Sequence, residues 1–280
     1  MSRRRLSEPE GTEEAKVKAL FTDYDGTISP INVKRSESAV PPTIMTLLNE
    51  VSQRIPVAVV TTKDLNFIVK RTPFAHAWAA LGGLEMRTDG VITRAACLKS
   101  KIEQVTVALN FAKELAGNDL TIEEKQDSEG VSVAFSVDWR QSKNKDAAST
   151  KSSKIVAHSK KLSLGITKYE GQPFFDVFPC PINKGKALLD LKRNFDLQDG
   201  ILYLGDSASD NTAFEKADIA VGVLHEETPS SLKCSYFVKA KELVCFLEAI
   251  LRDKFQFSAK LPMILSKTEA LHYIGQRELG

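Results

Sequence analysis

The sequence lacks the features that point most directly to a membrane, a nucleic acid or an oxidising compartment. No apolar run among the 280 residues approaches the roughly 18 that span a bilayer. The 38 basic and 36 acidic residues leave a formal net charge of +2, so no general attraction to nucleic acid or to an anionic membrane surface is expected. The four cysteines, at positions 97, 180, 234 and 245, lack metal-ligand spacing. We therefore expect them to be reduced, as in a cytoplasmic protein.

The two ends of the chain carry little patterning. Residues 1–15 hold three arginines followed by glutamates, without the apolar core of a secretory signal. We expect a disordered segment there, with a short basic contact arm as the alternative. Residues 254–280 contain scattered polar and aromatic side chains that predict no particular structure, and we treat them as a C-terminal extension.

Between the ends, short apolar runs alternate with amphipathic segments. The runs at 19–21, 57–60, 77–81 and 201–204 are each bounded by turn residues and predict buried strands. The segments 43–53 and 183–195 have the apolar spacing of helices that cover such a sheet. This alternation predicts an α/β fold with a Rossmann-like parallel sheet.

Residues 88–180 have a different texture. Amphipathic helices are predicted over 101–115 and from near residue 146, among four strands at 120–124, 131–137, 165–169 and 174–178. We expect an inserted α+β domain here, with residues 16–87 and 181–253 forming the core. Hinges are expected near Arg87 and over Pro179–Pro181, where each proline fixes φ.

Two carboxylates follow the first predicted strand, in the stretch V-K-A-L-F-T-D-Y-D-G-T. Asp23 closes that strand, and Asp25 lies in the turn that Gly26 allows. Carboxylates this close repel unless a cation joins them or one takes a proton. For a D-x-D pair alone, a solvated turn with a helix cap is the alternative.

Other reactive side chains also follow predicted strands or begin helices. Thr61 follows the second strand, Asp206 and Asp210 follow the strand at 201–204, and Lys184 begins a helix. In open parallel sheets such strand ends meet in one crevice. Carboxylates suit Mg²⁺, and a hydroxyl with a lysine suits phosphoryl oxygens, which is the equipment of phosphoryl transfer. Taken singly, Thr61 is better interpreted as a strand-end hydroxyl and Lys184 as a surface helix lysine, so the interpretation depends on the set.

Together these motifs resemble the haloacid-dehalogenase superfamily of phosphohydrolases. D-x-D-G-T, the threonine, the lysine and G-D-x-x-x-D occur in that family's order over roughly 20–251. The resemblance implies that Asp23 is a nucleophile forming an aspartyl-phosphate and that Asp25 is a general acid and base. It implies that Thr61 and Lys184 bind the phosphoryl group. An aspartate at position 25 indicates a phosphatase rather than a dehalogenase.

The same resemblance implies a Mg²⁺ site. Its metal ligands would be Asp23, Asp206 and the backbone carbonyl of Asp25. Asp210 and Asn211 would support the ligands from a surrounding shell.

The predicted insertion resembles the α/β cap of sugar-phosphate phosphatases, and most of all that of trehalose-6-phosphate phosphatases. I-E-E-K at 122–125, followed by 131–140, is similar to their cap strands. The sequence departs where Thr61-Thr62-Lys63 replaces Ser-Gly-Arg, and no histidine lies near residues 138–140. The resemblance implies substrate contacts from Thr62, Lys63, Glu124, Lys125 and Arg140. For the three cap residues among these, a solvated salt-bridge face is the alternative.

The function implied is Mg²⁺-dependent removal of phosphate from a phosphorylated sugar, with trehalose 6-phosphate as the expected substrate and a place in trehalose biosynthesis. The alternatives are a phosphatase for mannosyl-3-phosphoglycerate, sucrose phosphate or a hexose phosphate, and a catalytically silent sugar-phosphate sensor. We expect a cytoplasmic protein without nucleic-acid or membrane partners. The sequence does not indicate an oligomeric state.

Overall fold

The computed structural model describes residues 14–31, 33–169, 171–225 and 231–275. Its strands are β1 (Glu14–Lys16), β2 (Ala19–Thr22), β3 (Val57–Val60), β4 (Ala77–Ala80), β5 (Glu85–Thr88), β6 (Val91–Arg94), β7 (Thr121–Gln126), β8 (Ser132–Asp138), β9 (Gly165–Lys168), β10 (Phe174–Phe178), β11 (Ile201–Gly205), β12 (Ile219–Leu224), β13 (Tyr236–Lys239), β14 (Gln256–Ser258) and β15 (Ile264–Ser266).

The α-helices in the described ranges are α1 (Pro42–Ser52), α2 (Leu65–Arg71), α3 (Ala96–Ser100), α4 (Ile102–Ala116), α5 (Lys145–Lys161), α6 (Lys184–Asn194), α7 (Asn211–Phe214), α8 (Leu243–Arg252) and α9 (Lys267–Gly275). Among them, none is both long enough and apolar enough to cross a membrane.

Nine of the described strands form the central sheet, in the order β15-β13-β12-β11-β2-β3-β4-β5-β6. The six strands from β13 to β4 run parallel, whereas β15 at one edge and the β5–β6 hairpin at the other are antiparallel. All four residues of β2 and of β3 are buried, as expected for parallel strands covered on both faces. The parallel sheet confirms the predicted α/β class.

Helices cover both faces of this sheet. Because successive strand residues point to opposite faces, Leu20 of β2 lies in the core shared with α1, α2 and α8, while its neighbour Phe21 lies in the core shared with α6 and α7. Val57 and Ala58 of β3 divide between the two cores in the same way. The sheet is thus held from both sides, and its strand ends are fixed relative to one another.

A second sheet, which we call the cap sheet, has the order β7-β8-β10-β9 and is antiparallel throughout the described residues. Helices α4 and α5 pack on one of its faces through Val105, Leu109 and Ile155. We call β7 to β10 with α4 and α5 the cap. In the chain it lies between β6 and α6.

The cap begins later in the chain than residue 88, where the sequence placed its start. Asp89 and Gly90 both have positive φ angles, which form the tight turn of a hairpin. The hairpin adds β5 and β6 to the central sheet, so Val91–Arg94 belongs to that sheet. The other domain limits and the hinges stay predictions.

The tails contribute more structure than the sequence indicated. Glu14 and Ala15, expected to be disordered, belong to β1, which pairs with β14; residues 1–13 lie outside the described residues. The C-terminal extension supplies β14, β15 and α9, and β15 pairs with β13 at the edge of the central sheet. The strands β1, β14 and β15 have only three residues each, too few for a periodic pattern to show.

The expectation of four reduced cysteines is wrong for one pair. Cys97 in α3 and Cys180 after β10 form a disulfide, with Cα atoms 6.2 Å apart and a sequence separation of 83. The fold brings together the two segments that flank the cap, which sequence spacing does not reveal. Cys234 and Cys245 are free. The cytoplasmic location expected from the sequence stays a prediction.

Candidate active site

The turn after β2 places Asp23 at the carboxyl end of the central sheet. The backbone N–H of Asp23 donates to the carbonyl of Leu204 in β11 at 2.8 Å, which fixes it beside the neighbouring strand. Gly26 has a φ of +74°, and a Cβ there would lie 2.1 Å from Oδ2 of Asp206. Only glycine fits this turn, because any side chain would collide with the second carboxylate.

The segment after β11 places two more aspartates at the same edge. Asp206 follows Gly205 directly and is buried. Oδ2 of Asp210 accepts from the backbone N–H groups of Asp206 and Ser207 at 3.2 and 3.1 Å, and it closes a capping box with Ser207. These bonds hold the Asp210 carboxylate against the backbone of the turn that carries Asp206.

Lys184 joins the two sets of carboxylates. It is the first residue of α6, whose N-cap Asn183 accepts from the backbone of Lys186 at 2.9 Å. Its Nζ lies 2.8 Å from Oδ2 of Asp23 and 2.8 Å from Oδ1 of Asp210. The structure therefore brings Asp23, Lys184, Asp206 and Asp210 together, although they lie far apart in sequence.

The electrostatics of this cluster favour an added cation. Ligand atoms of Asp23, Asp206 and Asp210 all lie within 4.8 Å of one another. Burial, reinforced by the neighbouring Asp210 and Asp206, outweighs Lys184 and raises the pKa of Asp23 well above its usual value. Burial likewise raises the pKa of Asp206, even though His225 bonds to it. Carboxylates that resist ionising together are stabilised by a hard divalent ion with oxygen ligands.

Lys184 itself stays charged. Its burial opposes the charged form, but Asp210 and Asp23 outweigh that effect and raise the pKa of Lys184 above its usual value. A buried lysine held protonated beside Asp23 can act as a fixed positive charge toward an anionic ligand.

Asp210 is poorly suited to bind a metal directly. Lys184 and the hydroxyl of Tyr203 donate to its Oδ1 at 2.8 and 2.7 Å, while two backbone N–H groups occupy Oδ2. With both oxygens already accepting, Asp210 positions Lys184 and the turn at Asp206. This is compatible with the surrounding shell expected from the sequence.

The side chain of Asp25 does not join the carboxylate cluster. It lies 3.4 Å from Nζ of Lys63, and the hydroxyl of Ser38 donates to it at 3.2 Å. Its side chain is about one third exposed and lines the cavity above Asp23. This position suits proton transfer, and it leaves the backbone carbonyl of Asp25 as the expected contact with a metal.

The expected supporting role of Asn211 does not match its position. Its Nδ2 donates to the carbonyl of Ser231 at 3.2 Å, and its Oδ1 accepts from the backbone of Lys233 at 2.8 Å. Both ends of the amide thus fasten the segment before β13, so the residue does not reach toward Asp23. Asn211 begins α7, one residue past the turn that carries Asp210, and this step turns its side chain away.

The two threonines after β3 lie in different environments. Thr61 is buried, and its hydroxyl accepts from the backbone of Lys63 at 3.3 Å, which shapes the turn. Thr62 and Lys63 line the cavity. The sequence analysis expected Thr61, Thr62 and Lys63 to bind phosphate or substrate, and of these Thr62 and Lys63 face the cavity.

The cap supplies the opposite wall of the cavity. Its lining residues are polar or aromatic: Thr121, Glu123, Lys125, Ser136, Asp138, Arg140, Tyr169, Gln172, Phe174 and Asp176. Nζ of Lys125 also donates to the carbonyl of Thr62 at 3.2 Å, so the cap rests directly on the core here. The predicted substrate residues Lys125 and Arg140 therefore face the same cavity as Asp23.

The charges of this cap wall are paired with each other. Lys125 lies 2.9 Å from Asp176, which also accepts from the hydroxyls of Tyr169 and Ser136. Burial alone would raise the pKa of Asp176, but Lys125 and the two hydroxyls lower it overall. Arg140 pairs with Asp138 at 2.7 Å in a similar way. The cap wall is polar, yet its charges largely cancel.

Glu124, which the sequence analysis expected to contact substrate, does not face the cavity that Asp23 lines, whereas its neighbour Glu123 does. The carboxylate of Glu124 bonds to Lys113 and Ser132. Neighbouring strand residues point to opposite faces, so Glu123 shares the face of Lys125 and Glu124 lies on the other. The period of two, counted back from Lys125, was the signal that could have identified Glu123.

Sequence reasoning also missed His225. It follows the buried strand β12, and its Nε2 lies 2.8 Å from Oδ2 of Asp206. The rule that found Asp23 and Asp206, a polar side chain directly after an apolar run, applies equally to His225. Tyr169, which lines the cavity from the loop after β9, carries no such signal.

Comparisons with known proteins agree with this geometry. The sequence model of the family described as trehalose-phosphatase matches residues 21–235, from β2 to the segment before β13. Similar solved structures include a trehalose-6-phosphate phosphatase related protein, with 19% identity, a TM-score of 0.65 and coverage of 84% of this chain and 98% of that one. The C-terminal domain of the trehalose-6-phosphate phosphatase of C. albicans has 16% identity, a TM-score of 0.68 and coverage of 85% and 93%.

A sugar phosphatase of haloacid-dehalogenase subclass IIB is also similar, with 12% identity, a TM-score of 0.58 and coverage of 85% of this chain and 100% of that one. At these identities the solved structures establish the fold, whereas the family match covers most of the chain. This protein therefore belongs to the trehalose-phosphatase family and is a phosphoric monoester hydrolase.

Proposed function

We propose that the protein is a Mg²⁺-dependent sugar-phosphate phosphatase whose substrate is trehalose 6-phosphate, which it converts to trehalose and inorganic phosphate. One observation carries the proposal: Asp23 and Asp206 line the floor of a cavity whose opposite wall is the polar cap, and the buried Lys184 bonds to Asp23 at that floor. Membership of the trehalose-phosphatase family supports a sugar phosphate as the substrate class.

In the proposed reaction Asp23 is the nucleophile. One of its carboxylate oxygens bonds to phosphorus, while the ester oxygen leaves with its electron pair and takes a proton from Asp25. Water then attacks the same phosphorus and gives its proton to Asp25. The bond between phosphorus and Asp23 breaks, which releases inorganic phosphate and restores both carboxyl groups.

The remaining groups neutralise and position the phosphoryl charge. Held by Asp23, Asp206 and the carbonyl of Asp25, Mg²⁺ would supply positive charge against the phosphoryl oxygens. Lys184, which bonds to Asp23 and is kept charged by Asp210, would add positive charge against the same oxygens. Thr61 shapes the turn from which Thr62 and Lys63 reach the cavity, so we assign phosphate contact to that turn.

The cap is proposed to bind the sugar. Glu123, Lys125 and Arg140 line its wall beside hydroxyl and amide groups, which offer the donors and acceptors that a polyhydroxyl leaving group needs. Cap closure would exclude water from the cavity while the phosphoryl group is transferred.

The proposal is tested by phosphate release from a panel containing trehalose 6-phosphate, sucrose phosphate, mannosyl-3-phosphoglycerate and hexose phosphates. We expect the highest kcat/KM for trehalose 6-phosphate, with activity abolished by EDTA and restored by Mg²⁺. A preference for another sugar phosphate would identify one of the alternative phosphatases. Ligand binding without phosphate release from any compound would instead indicate a silent sensor.

A further inference from the structure

Arg35 connects the core to the cap beside the cavity. It lies between the catalytic turn and α1, and its Nη1 donates to Oε1 of Glu123 in β7 at 2.8 Å. Its Nη2 donates to the carboxylate of Asp64 in the core. Arg35 does not itself line the cavity, so any role in the reaction must pass through Glu123, which does.

The core holds the Arg35 guanidinium in place independently of the cap. Asp64 is the buried N-cap of α2 and accepts from the backbone of Phe67 at 2.9 Å. The Cζ of Arg35 lies 4.3 Å from the centre of the Phe67 ring. The planar guanidinium can stack on this ring and serve two carboxylates at once, a geometry that a lysine cannot reproduce.

Arg71 fastens the same loop from its other end. Its Cζ lies 3.8 Å from the centre of the Phe67 ring, and its Nε donates to the carbonyl of Ser38 at 2.9 Å. Both contacts lie within the core. Arg71 therefore resembles Arg35 in charge and in its contact with Phe67. Among the described residues it makes no hydrogen bond or ion pair to the cap, so it offers a matched control.

Glu123 is the cap member of a chain of opposite charges. Lys63 lies 3.9 Å from Glu123 on one side and 3.4 Å from Asp25 on the other. The sequence of contacts thus runs from Asp25 through Lys63 and Glu123 to Arg35 and Asp64. Glu123 can occupy its place between the two core cations only while the cap sheet rests on the core.

We propose that Arg35 is a positioning residue that docks the cap by fixing Glu123 at the wall of the sugar site. The loop after the nucleophile turn thereby takes part in recognising the leaving group, without touching it. The inference rests on the proposed function, since it assumes that the cap wall binds a sugar. It assigns substrate discrimination to a core residue outside the family motifs.

The test compares a sugar phosphate with p-nitrophenyl phosphate, whose leaving group offers no sugar hydroxyls. The sugar phosphate is the compound that the unsubstituted protein hydrolyses best. For Arg35→Ala we expect the ratio of the two kcat/KM values to fall about tenfold, through a higher KM for the sugar phosphate, because the Arg35–Glu123 contact is partly desolvated. Arg35→Lys should recover little of the ratio, and Arg71→Ala should leave it unchanged.

A double-mutant cycle with Glu123→Gln isolates the contact. If Arg35 acts through Glu123, Arg35→Ala combined with Glu123→Gln lowers the ratio no further than Glu123→Gln alone. Additive losses, or an equal loss on both substrates in Arg35→Ala, would overturn the proposal. Circular dichroism checks that each variant is folded. If Arg35→Ala does not fold, Glu123→Gln tests the same hydrogen bond from the cap side.

Amide hydrogen exchange separates this inference from the proposed function. Arg35→Ala should raise exchange in Thr121–Gln126, because β7 loses its link to the core, while exchange in Gly165–Lys168 stays unchanged. Unchanged exchange in β7 would contradict the docking role, whatever the substrate. If the unsubstituted protein released phosphate from no sugar phosphate, the proposed function would fail, and exchange would still decide whether Arg35 docks the cap.

Discussion

The two walls of the cavity differ in how their charges are balanced. At the floor, ligand atoms of Asp23, Asp206 and Asp210 lie within 4.8 Å of one another, Lys184 bonds to Asp23 and Asp210, and the pKa values of Asp23 and Asp206 are raised. At the cap, Lys125 pairs with Asp176 and Arg140 with Asp138, and the pKa of Asp176 is lowered. An excess of buried carboxylates suits a site that takes up a cation, whereas paired charges suit a neutral, polyhydroxyl ligand. This difference is the basis on which we propose phosphate chemistry at the floor and sugar recognition at the cap.

The largest expected effect comes from the floor. Asp23→Asn should lower phosphate release from every substrate by roughly 10⁴-fold or more, because an amide is a poor nucleophile and carries no charge to balance a metal. Steady-state assays on a sugar phosphate and on p-nitrophenyl phosphate measure this. Retention of more than a few per cent of activity on either substrate would remove Asp23 from its proposed role.

The two buried lysines test the comparison most directly. Lys184→Met should lower kcat/KM on both substrates by about 10²–10³-fold, since it removes a fixed positive charge from the phosphoryl site. Lys125→Met should lower kcat/KM mainly for the sugar phosphate. Thermal melts establish that each variant is folded before the assays. A selective loss in Lys184→Met would contradict the assignment of the floor to phosphate.

A smaller effect separates the two adjacent glutamates of β7. Glu123→Gln should weaken the sugar phosphate kcat/KM by about tenfold, as expected for one partly desolvated charged contact. Glu124→Gln is its matched control and should leave that value unchanged, because Glu124 bonds to Lys113 and Ser132 on the opposite face. The reverse pattern would mean that the cap sheet presents its other face to the substrate.

The smallest effect on catalysis, and the clearest on stability, concerns the buried pair in the cap. Asp176→Asn should lower the free energy of unfolding at neutral pH by about 3 kcal/mol, because Lys125 would remain buried without its partner. Denaturant unfolding measures the change.

The loss of unfolding free energy in Asp176→Asn should become smaller as the pH falls. The folded-state pKa of Asp176 is lowered, so its stabilisation is present above the ordinary carboxyl pKa and is lost as the pH falls through the lower, folded value. The difference between Asp176→Asn and the unsubstituted protein should therefore be constant near neutral pH and shrink below about pH 4. A difference that grows on acidification would contradict the ion pair.

The features that the sequence predicted correctly were those set by residues adjacent in the chain. Apolar runs ending in Asp23 and Asp206 identified the parallel strands and the residues at their ends. A buried strand and its end can both be recognised from a few consecutive residues. Lys184 was found through its place in the ordered motifs. The three-residue strands β14 and β15 were not found, since their pairing depends on distant partners.

Features that depend on tertiary proximity or on a strand face were the ones missed. The Cys97–Cys180 bond joins segments brought close only by the fold around the cap. Glu123 and Glu124 differ only in the face that they occupy, and choosing between them required counting from Lys125. Arg35 belongs to no sequence motif. Its proposed role depends on contacts with Asp64 and Glu123, which lie in different parts of the chain.

The central claim is that Asp23 accepts the phosphoryl group, and Asp25→Asn offers the most direct measurement. The leaving group of p-nitrophenyl phosphate needs little protonation, so Asp25→Asn should still transfer phosphate to Asp23. The aspartyl-phosphate at Asp23 should then be hydrolysed slowly, because the attacking water lacks its general base. Mass spectrometry of the acid-quenched variant should find one phosphoryl group on the peptide that contains residue 23, and Asp23→Asn should remove it. A phosphoryl group on another residue, or none during continuing turnover, would contradict the account.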